Sequence, residues 1–99
     1  MTPEEQNRLV QSVRDESGEQ RYVLPLDDAT AFIDYHRAGG VVSMLHAEVP
    51  QQYEGRGIGA AMVRGALLLA RQAGEKVRPR CSFVVAYMRR HAEFNDLLS

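Results

Sequence analysis

The feature that most restricts this chain is a change of hydrophobic period across Gln52-Tyr53-Glu54-Gly55-Arg56-Gly57-Ile58-Gly59-Ala60. Upstream, apolar and polar residues alternate, the period of half-buried strands. Downstream, Ile58, Ala61, Met62, Gly65, Ala66 and Leu69 recur at three- and four-residue spacing, with Arg64, Arg71 and Gln72 opposite. That is the pattern of an amphipathic helix, and Gly74 stops it. The glycine-rich stretch therefore joins a strand to a helix. Glycine at a helix start costs about 1 kcal/mol against alanine, so its repetition here calls for a reason. One reason is close backbone approach with uncommitted N–H groups. A helix N-terminus carries unpaired donors and partial positive charge, which together seat phosphate oxygens. The first turn, Gly57-Ile58-Gly59-Ala60, also lacks the Asp or Glu that would complement the helix dipole. Arg56 stands beside the seat, and Arg64 lies about two turns further along. A flexible turn that binds nothing accounts for the glycines alone equally well.

The rest of the chain frames this segment. Residues 1–7 are polar and read as loose, flexible chain. Residues 9–14 alternate weakly as a strand, Asp15-Glu16-Ser17-Gly18 is a turn cluster, and Gln20 to Leu26 is the return strand. Residues 8–26 thus read as a hairpin, with Pro25 at an edge or strand end. After a second turn at Asp27-Asp28, Thr30 to Arg37 is a third strand. Gly39-Gly40 supplies a tight turn into a fourth strand, Val41 to Val49, closed by Pro50. Beyond the long helix, Lys76 to Ser82 reads as a fifth strand interrupted by Pro79. Phe83 to Arg90 reads as a short helix, and residues 93–98 as a last turn or two. The order ββββαβα predicts an α/β (α+β) fold: one mixed, mostly antiparallel sheet of about five strands, covered by helices.

At 99 residues the chain is read as a single domain, 1–99, with one core. Its 12 basic and 13 acidic side chains give a net charge of -1. That balance predicts neither a nucleic acid nor a membrane as partner, although it allows a local basic patch. Cys81 is the one cysteine, so no intramolecular disulfide forms and a reducing, cytoplasmic home is expected. The acidic N-terminus is unlike a secretory leader, and the apolar run 66–70 is too short to span a bilayer. His36, His46, His91 and Cys81 lack metal-ligand spacing, so no metal is expected. A monomer or weak dimer is expected.

Two phosphate-binding motifs compete for the glycine segment. A Walker loop needs Gly-Lys-Ser/Thr, which is absent. A dinucleotide fingerprint forced onto Gly55-x-Gly57-x-x-Ala60 wants a parallel βαβ unit and a longer chain. In contrast, Gln52, Gly55 and Gly57 fit in register the Gln/Arg-x-x-Gly-x-Gly/Ala loop of the GNAT N-acetyltransferases, and the segment resembles their acetyl-CoA loop. More closely, the chain resembles a small single-domain GNAT-like family. Three stretches carry this likeness in order: His46-Ala47-Glu48-Val49-Pro50, Gly55-Arg56-Gly57-Ile58 and Pro79-Arg80-Cys81-Ser82-Phe83. It covers nearly the whole chain from about Leu9.

The resemblance implies acetyl-CoA as cofactor and an amine as acceptor. It implies that the backbone from Tyr53 through Glu54, Gly55, Arg56, Gly57 and Ile58 to Gly59 holds the pyrophosphate. Val49 would pair through its backbone with the pantetheine arm. Cys81, on the fifth strand, would face the thioester as a nucleophile. Tyr87 lies where many members of the superfamily keep a tyrosine general acid. Departures are Ala47 and Ala92, where threonine and proline are usual, and the lack of a clear counterpart to the asparagine of larger members.

The residues themselves allow two readings at each position. His46 and Glu48 lie two apart on one strand and share a face, so they are candidate bases, or else a satisfied histidine and a solvated acid. Cys81 is a candidate nucleophile flanked by Arg78 and Arg80, or a small buried residue. Tyr87 is a candidate acid or a core tyrosine. Arg89-Arg90-His91 could meet a 3′-phosphate or form a solvated helix face. The expected activity is acetyl-CoA-dependent transfer to an amine; the rival is a non-catalytic acyl-CoA-binding or protein-interaction module.

Overall fold

The computed structural model describes residues 1–99. Helix α1 (Pro3–Ser12) leads into β1 (Arg14–Glu16) and β2 (Arg21–Pro25), followed by β3 (Thr30–Ala38) and β4 (Val41–Glu48). Helix α2 (Ile58–Gln72), β5 (Lys76–Pro79) and α3 (Ser82–Arg90) complete the fold, with short 3-10 turns at Ser17–Glu19, Gln51–Tyr53 and Ala92–Leu97. The five strands lie in sequence order. The first four are antiparallel to their neighbours, and β5 runs parallel to β4. A parallel neighbour needs a crossover connection, and α2 is that crossover.

Period-two patterning decides which sheet face is buried. Tyr22 and Leu24 on β2, Ala31, Ile33 and Tyr35 on β3, and Val42 and Met44 on β4 all enter one core. Helix α2 covers this face. Its apolar residues run round most of its circumference, because the sheet lies on one side and α1 and α3 on others. Close approach of α1 depends on Gly65. A Cβ there would stand 2.5 Å from the Val10 carbonyl oxygen and 2.5 Å from Val13 Cγ2. The strand expectations for the second, third and fourth strands hold to within a residue or two, as does the helix ending at Gly74. No helix is long and apolar enough to cross a membrane.

The N-terminal and fifth-strand expectations are corrected. The reading of residues 1–7 as loose chain and of 9–14 as a strand gives way to α1. Thr2 caps this helix: its hydroxyl oxygen accepts the Glu5 N–H at 3.1 Å and donates to the Glu5 carboxylate. Pro3 opens the first turn, which also carries Glu4 and Glu5. Each of these features favours a helix start. The hairpin shrinks to β1 and β2. The fifth strand ends at Pro79 rather than Ser82.

A polar network locks the far end of the sheet. Arg37 Nε donates to Glu75 at 2.6 Å, Arg37 Nη2 to Asp15 at 2.8 Å, and Arg37 Nη1 to the Tyr35 hydroxyl at 2.8 Å. Tyr35 in turn donates to Asp15 at 2.5 Å. The network ties β1, β3 and the α2–β5 link. Burial, then the hydrogen bond to Asp15, pushes the Tyr35 hydroxyl up to about 12. Tyr22, fully buried beside it, is raised too, chiefly by burial. Its hydroxyl has no hydrogen-bond partner.

Three outcomes follow. Gly65→Ala should destabilise the protein by about 1–3 kcal/mol in urea unfolding, the usual range for overpacking. Tyr22→Phe should raise stability by about 1 kcal/mol, since it removes an unsatisfied buried hydroxyl. A raised phenol pKa contributes stability that is complete below its ordinary value and lost as pH climbs through the folded one. Stability should therefore fall from the ordinary value of 10.0 to about 12, and Tyr35→Phe should flatten part of that fall.

Candidate functional site

Strands β4 and β5 run side by side and then part. They pair from Val41↔Lys76 to Met44↔Pro79, and the last bond runs from the Arg80 N–H to the Met44 carbonyl at 2.9 Å. Two features end the ladder. The chain leaves β5 after Arg80, because Cys81 is already the cap of α3. Leu45 is an extra residue: the register with β3 passes from Asp34↔His46 to Tyr35↔Met44 and leaves it unmatched, a β-bulge. Beyond it, β4 continues to Glu48 against β3 alone, so its other edge carries no strand. Ala47 and Val49 on this free stretch line a cleft of about 660 Å³.

Pro50 then opens the turn Gln51–Tyr53. The Tyr53 and Glu54 amides bond back to Pro50 and Gln51 at 2.9 and 3.1 Å. Gly55 and Gly57 follow at φ +77° and +78°, the left-handed region that glycine adopts without steric cost. The first bond of α2 is Ala61 N–H to Gly57 O, at 3.1 Å. From Gly55 to Ala60, no amide donates to a backbone or side-chain acceptor of the chain. The expectation of an open run from Tyr53 to Gly59 is thus corrected: Tyr53 and Glu54 are committed, and the run spans 55–60. Tyr53, Glu54, Gly55, Gly57, Ile58 and Gly59 line the cleft. The Tyr53 hydroxyl donates to Asp28 at 2.6 Å, which raises its pKa and ties the loop to the β2–β3 turn.

Helix α3 forms the opposite wall. Phe83, Ala86, Tyr87, Arg90 and His91 line the cleft; their spacing of three, four, seven and eight residues is one helical face. Val84, Tyr87 and Met88 bury the core side. Phe83 reaches across to α2, where a Cβ on Gly59 would meet its ring tip at 2.7 Å. The His91 ring stacks on Tyr87 with centroids 4.0 Å apart and planes at 20°. His91 Nδ1 lies 3.6 Å from the Glu93 carboxylate, which accepts from Arg64 Nη1 at 3.2 Å. The Tyr87 hydroxyl, opposed by burial and helped by Glu93, pushes Arg64 upward, so its charge is secure. Glu93 is held below its ordinary value by its own backbone N–H and then by Arg64.

The structure separates the proposed catalytic residues. Tyr87 is on the cleft wall. His46 and Glu48 do share a face, with His46 Nε2 3.4 Å from Glu48 Oε1, but they are 56% and 59% exposed and do not line the cleft. Ala47, between them, does. Cys81 is not on a strand: it is the residue before the first turn of α3, partly buried against the core, and it too lies off the cleft lining. Gln52 is exposed and off the cleft. Arg56 lies on the loop's other side, its guanidinium 5.5 Å from the Tyr53 ring centroid. Sequence reasoning offered Arg90 and His91 as a 3′-phosphate contact or a solvated face, and missed Ala47, Phe83 and Ala86 as lining.

The cleft therefore has a polar end of free amides, an apolar slot between β4 and α3, and Tyr87 on one wall. Among curated proteins, none matches the chain. The solution NMR structure of a GCN5-like protein from Staphylococcus aureus superposes with a TM-score of 0.68 at 21% identity, covering 90% of this chain and 88% of that one. This likeness shows a shared fold. Residues 21–97 match the family model of the GCN5-related N-acetyltransferases. With that match covering most of its length, the chain belongs to the GCN5-related N-acetyltransferase family.

Proposed function

We propose that the cleft binds acetyl-CoA and that the protein transfers the acetyl group to an amine. The observation that carries this reading is the uncommitted amide run from Gly55 to Ala60 at the start of α2. Buried or semi-buried donors seek partners, and a row of them at a helix N-terminus suits a diphosphate. The two left-handed glycines let the row adopt this shape without steric cost. Acetyl-CoA would supply an acyl group activated as a thioester. The chain's own residues would hold the phosphates at 55–60 and pair an extended arm along the free edge of β4 at Ala47 and Val49. Tyr87 is the side chain on the wall best suited to give a proton to a departing thiolate.

A second reading has its own observation. His46, Glu48 and Cys81, the other candidates for base and nucleophile, stand off the cleft lining. That favours a coenzyme-binding module with little or no turnover. Incubation with radiolabelled acetyl-CoA separates the two. Label retained by wild type and lost in Cys81→Ala supports a covalent route. Turnover with an amine panel that survives Cys81→Ala but drops about 100-fold in Tyr87→Phe supports direct transfer with tyrosine as acid. Tight binding with neither supports the module.

The cofactor assignment is tested more simply. CoA at 100 times its dissociation constant should stabilise the fold by about 2.7 kcal/mol, read as a rise in melting temperature. Gly57→Val, which puts a branched side chain at φ +78°, should remove that rise while circular dichroism still reports a folded protein.

A further inference from the structure

We propose that Phe83 is a binding residue for the pantetheine arm of the coenzyme, and that residue 59 is glycine so that the Phe83 ring can lie beside the phosphate seat. The inference rests on the reading of the cleft given above.

Four large hydrophobic side chains are exposed in this protein: Met1, Leu45, Phe83 and Leu98. Met1 and Leu98 sit at the chain ends, and Leu45 is pushed out by the bulge. Phe83 has neither excuse. It lies in a regular helix whose core stripe is already supplied by Val84, Tyr87 and Met88, yet it remains 44% exposed. Its ring lies against the first turn of α2, with Cζ 2.7 Å and Cε2 3.1 Å from the place a Gly59 Cβ would occupy. No other residue type leaves room for the ring there. Alanine would be the better helix former by about 1 kcal/mol. The glycine therefore keeps the ring in position at the expense of helix propensity.

That position stands between the two halves of the cleft. On one side is the amide run; on the other is the slot toward Ala47 and Val49 on the free edge of β4. A ligand with phosphates on the amides and an extended chain entering the slot passes the Phe83 ring at the junction. In CoA, a single methylene joins the diphosphate to a quaternary carbon bearing two methyls. Apolar carbons there gain by displacing water from an exposed aromatic face. Ala47 and Val49 put only short side chains on the facing wall. The ring thus selects for the pantetheine arm and contributes nothing to the nucleotide.

Calorimetric titration of wild type, Phe83→Ala and Phe83→Tyr with CoA and with adenosine 3′,5′-bisphosphate tests this, because the bisphosphate lacks the arm. Phe83→Ala should weaken CoA by about 10-fold, the scale of losing one well-packed side-chain contact, and leave the bisphosphate unchanged. Phe83→Tyr, which keeps the ring, should bind CoA like wild type. Equal losses for both ligands would make the ring a prop for α2, and an unchanged CoA affinity in Phe83→Ala would give it no role; either overturns the proposal while leaving the cofactor reading intact. Wild type that binds neither compound overturns both. Phe83→Leu, which keeps an apolar side chain without the aromatic face, serves if Phe83→Ala does not fold: it should weaken CoA and leave the bisphosphate unchanged. Gly59→Ala reaches the same contact from the other side. It should weaken CoA in wild type by displacing the ring, and have no further effect in the Phe83→Ala background. A full additional loss there counts against the coupling.

Discussion

The chain turns into α3 at Cys81 directly after its last bond to β4, and Leu45 has no residue opposite it on β3. These two local facts part β4 from β5, and the cleft exists because of that parting. The sheet does not lose integrity there, since β4 keeps its full pairing with β3 as far as Phe32↔Glu48. What it gives up is one ladder, for the length of a few residues. Unpaired strand groups are costly when buried and tolerable when they face water or a ligand. Here they face an open cleft, so the local loss is small and the opening is stable.

The position of the amide run is a packing result. Helix α2 is the crossover that the parallel pair requires, and its N-terminus comes down at the mouth of the opening. Sheet, α1 and α3 hold it from different sides. Its fully buried Met62, Val63, Ala66, Leu67 and Ala70 leave little freedom to slide. Gly65 brings α1 close enough to complete this clamp. The Arg37 network secures the opposite end of the sheet, where β4 and β5 remain paired. One end of the sheet is bound and the other open, which is the asymmetry a ligand slot needs.

Much of this could be read from residue order. β3 alternates along its length and β4 as far as Met44, and α2 keeps its helical period over four turns. The Gly55–Gly57 pair marked the seat because nothing else in the chain asks for left-handed backbone just before a helix. Legibility failed where a single residue overrides a pattern. The Leu45 insertion changes which face the following residues present, so the shared face of His46 and Glu48 was predictable and its direction was not. The start of α3 at Cys81 stops the strand that was extended to Ser82. In α1, the short Leu9, Val10 and Val13 series carries almost no periodic signal, and the capping chemistry of Thr2 to Glu5 was the better guide. The α3 wall mixes Phe, Ala, Tyr, Arg and His, so its helical spacing has no contrast between apolar and polar to reveal it.

The Tyr53–Asp28 hydrogen bond joins the glycine loop to a turn more than twenty residues earlier in the chain. A glycine-rich loop left to itself samples many shapes, and a ligand would have to freeze them one by one. Anchored at Tyr53, bracketed by Pro50 and the first turn of α2, this loop is already narrowed to few shapes when the chain has folded. The entropy of ordering it is thus a folding cost, met by the whole core, and the ligand meets a nearly rigid receptor. Cutting the anchor would leave the melting curve nearly untouched and hand that cost back to association.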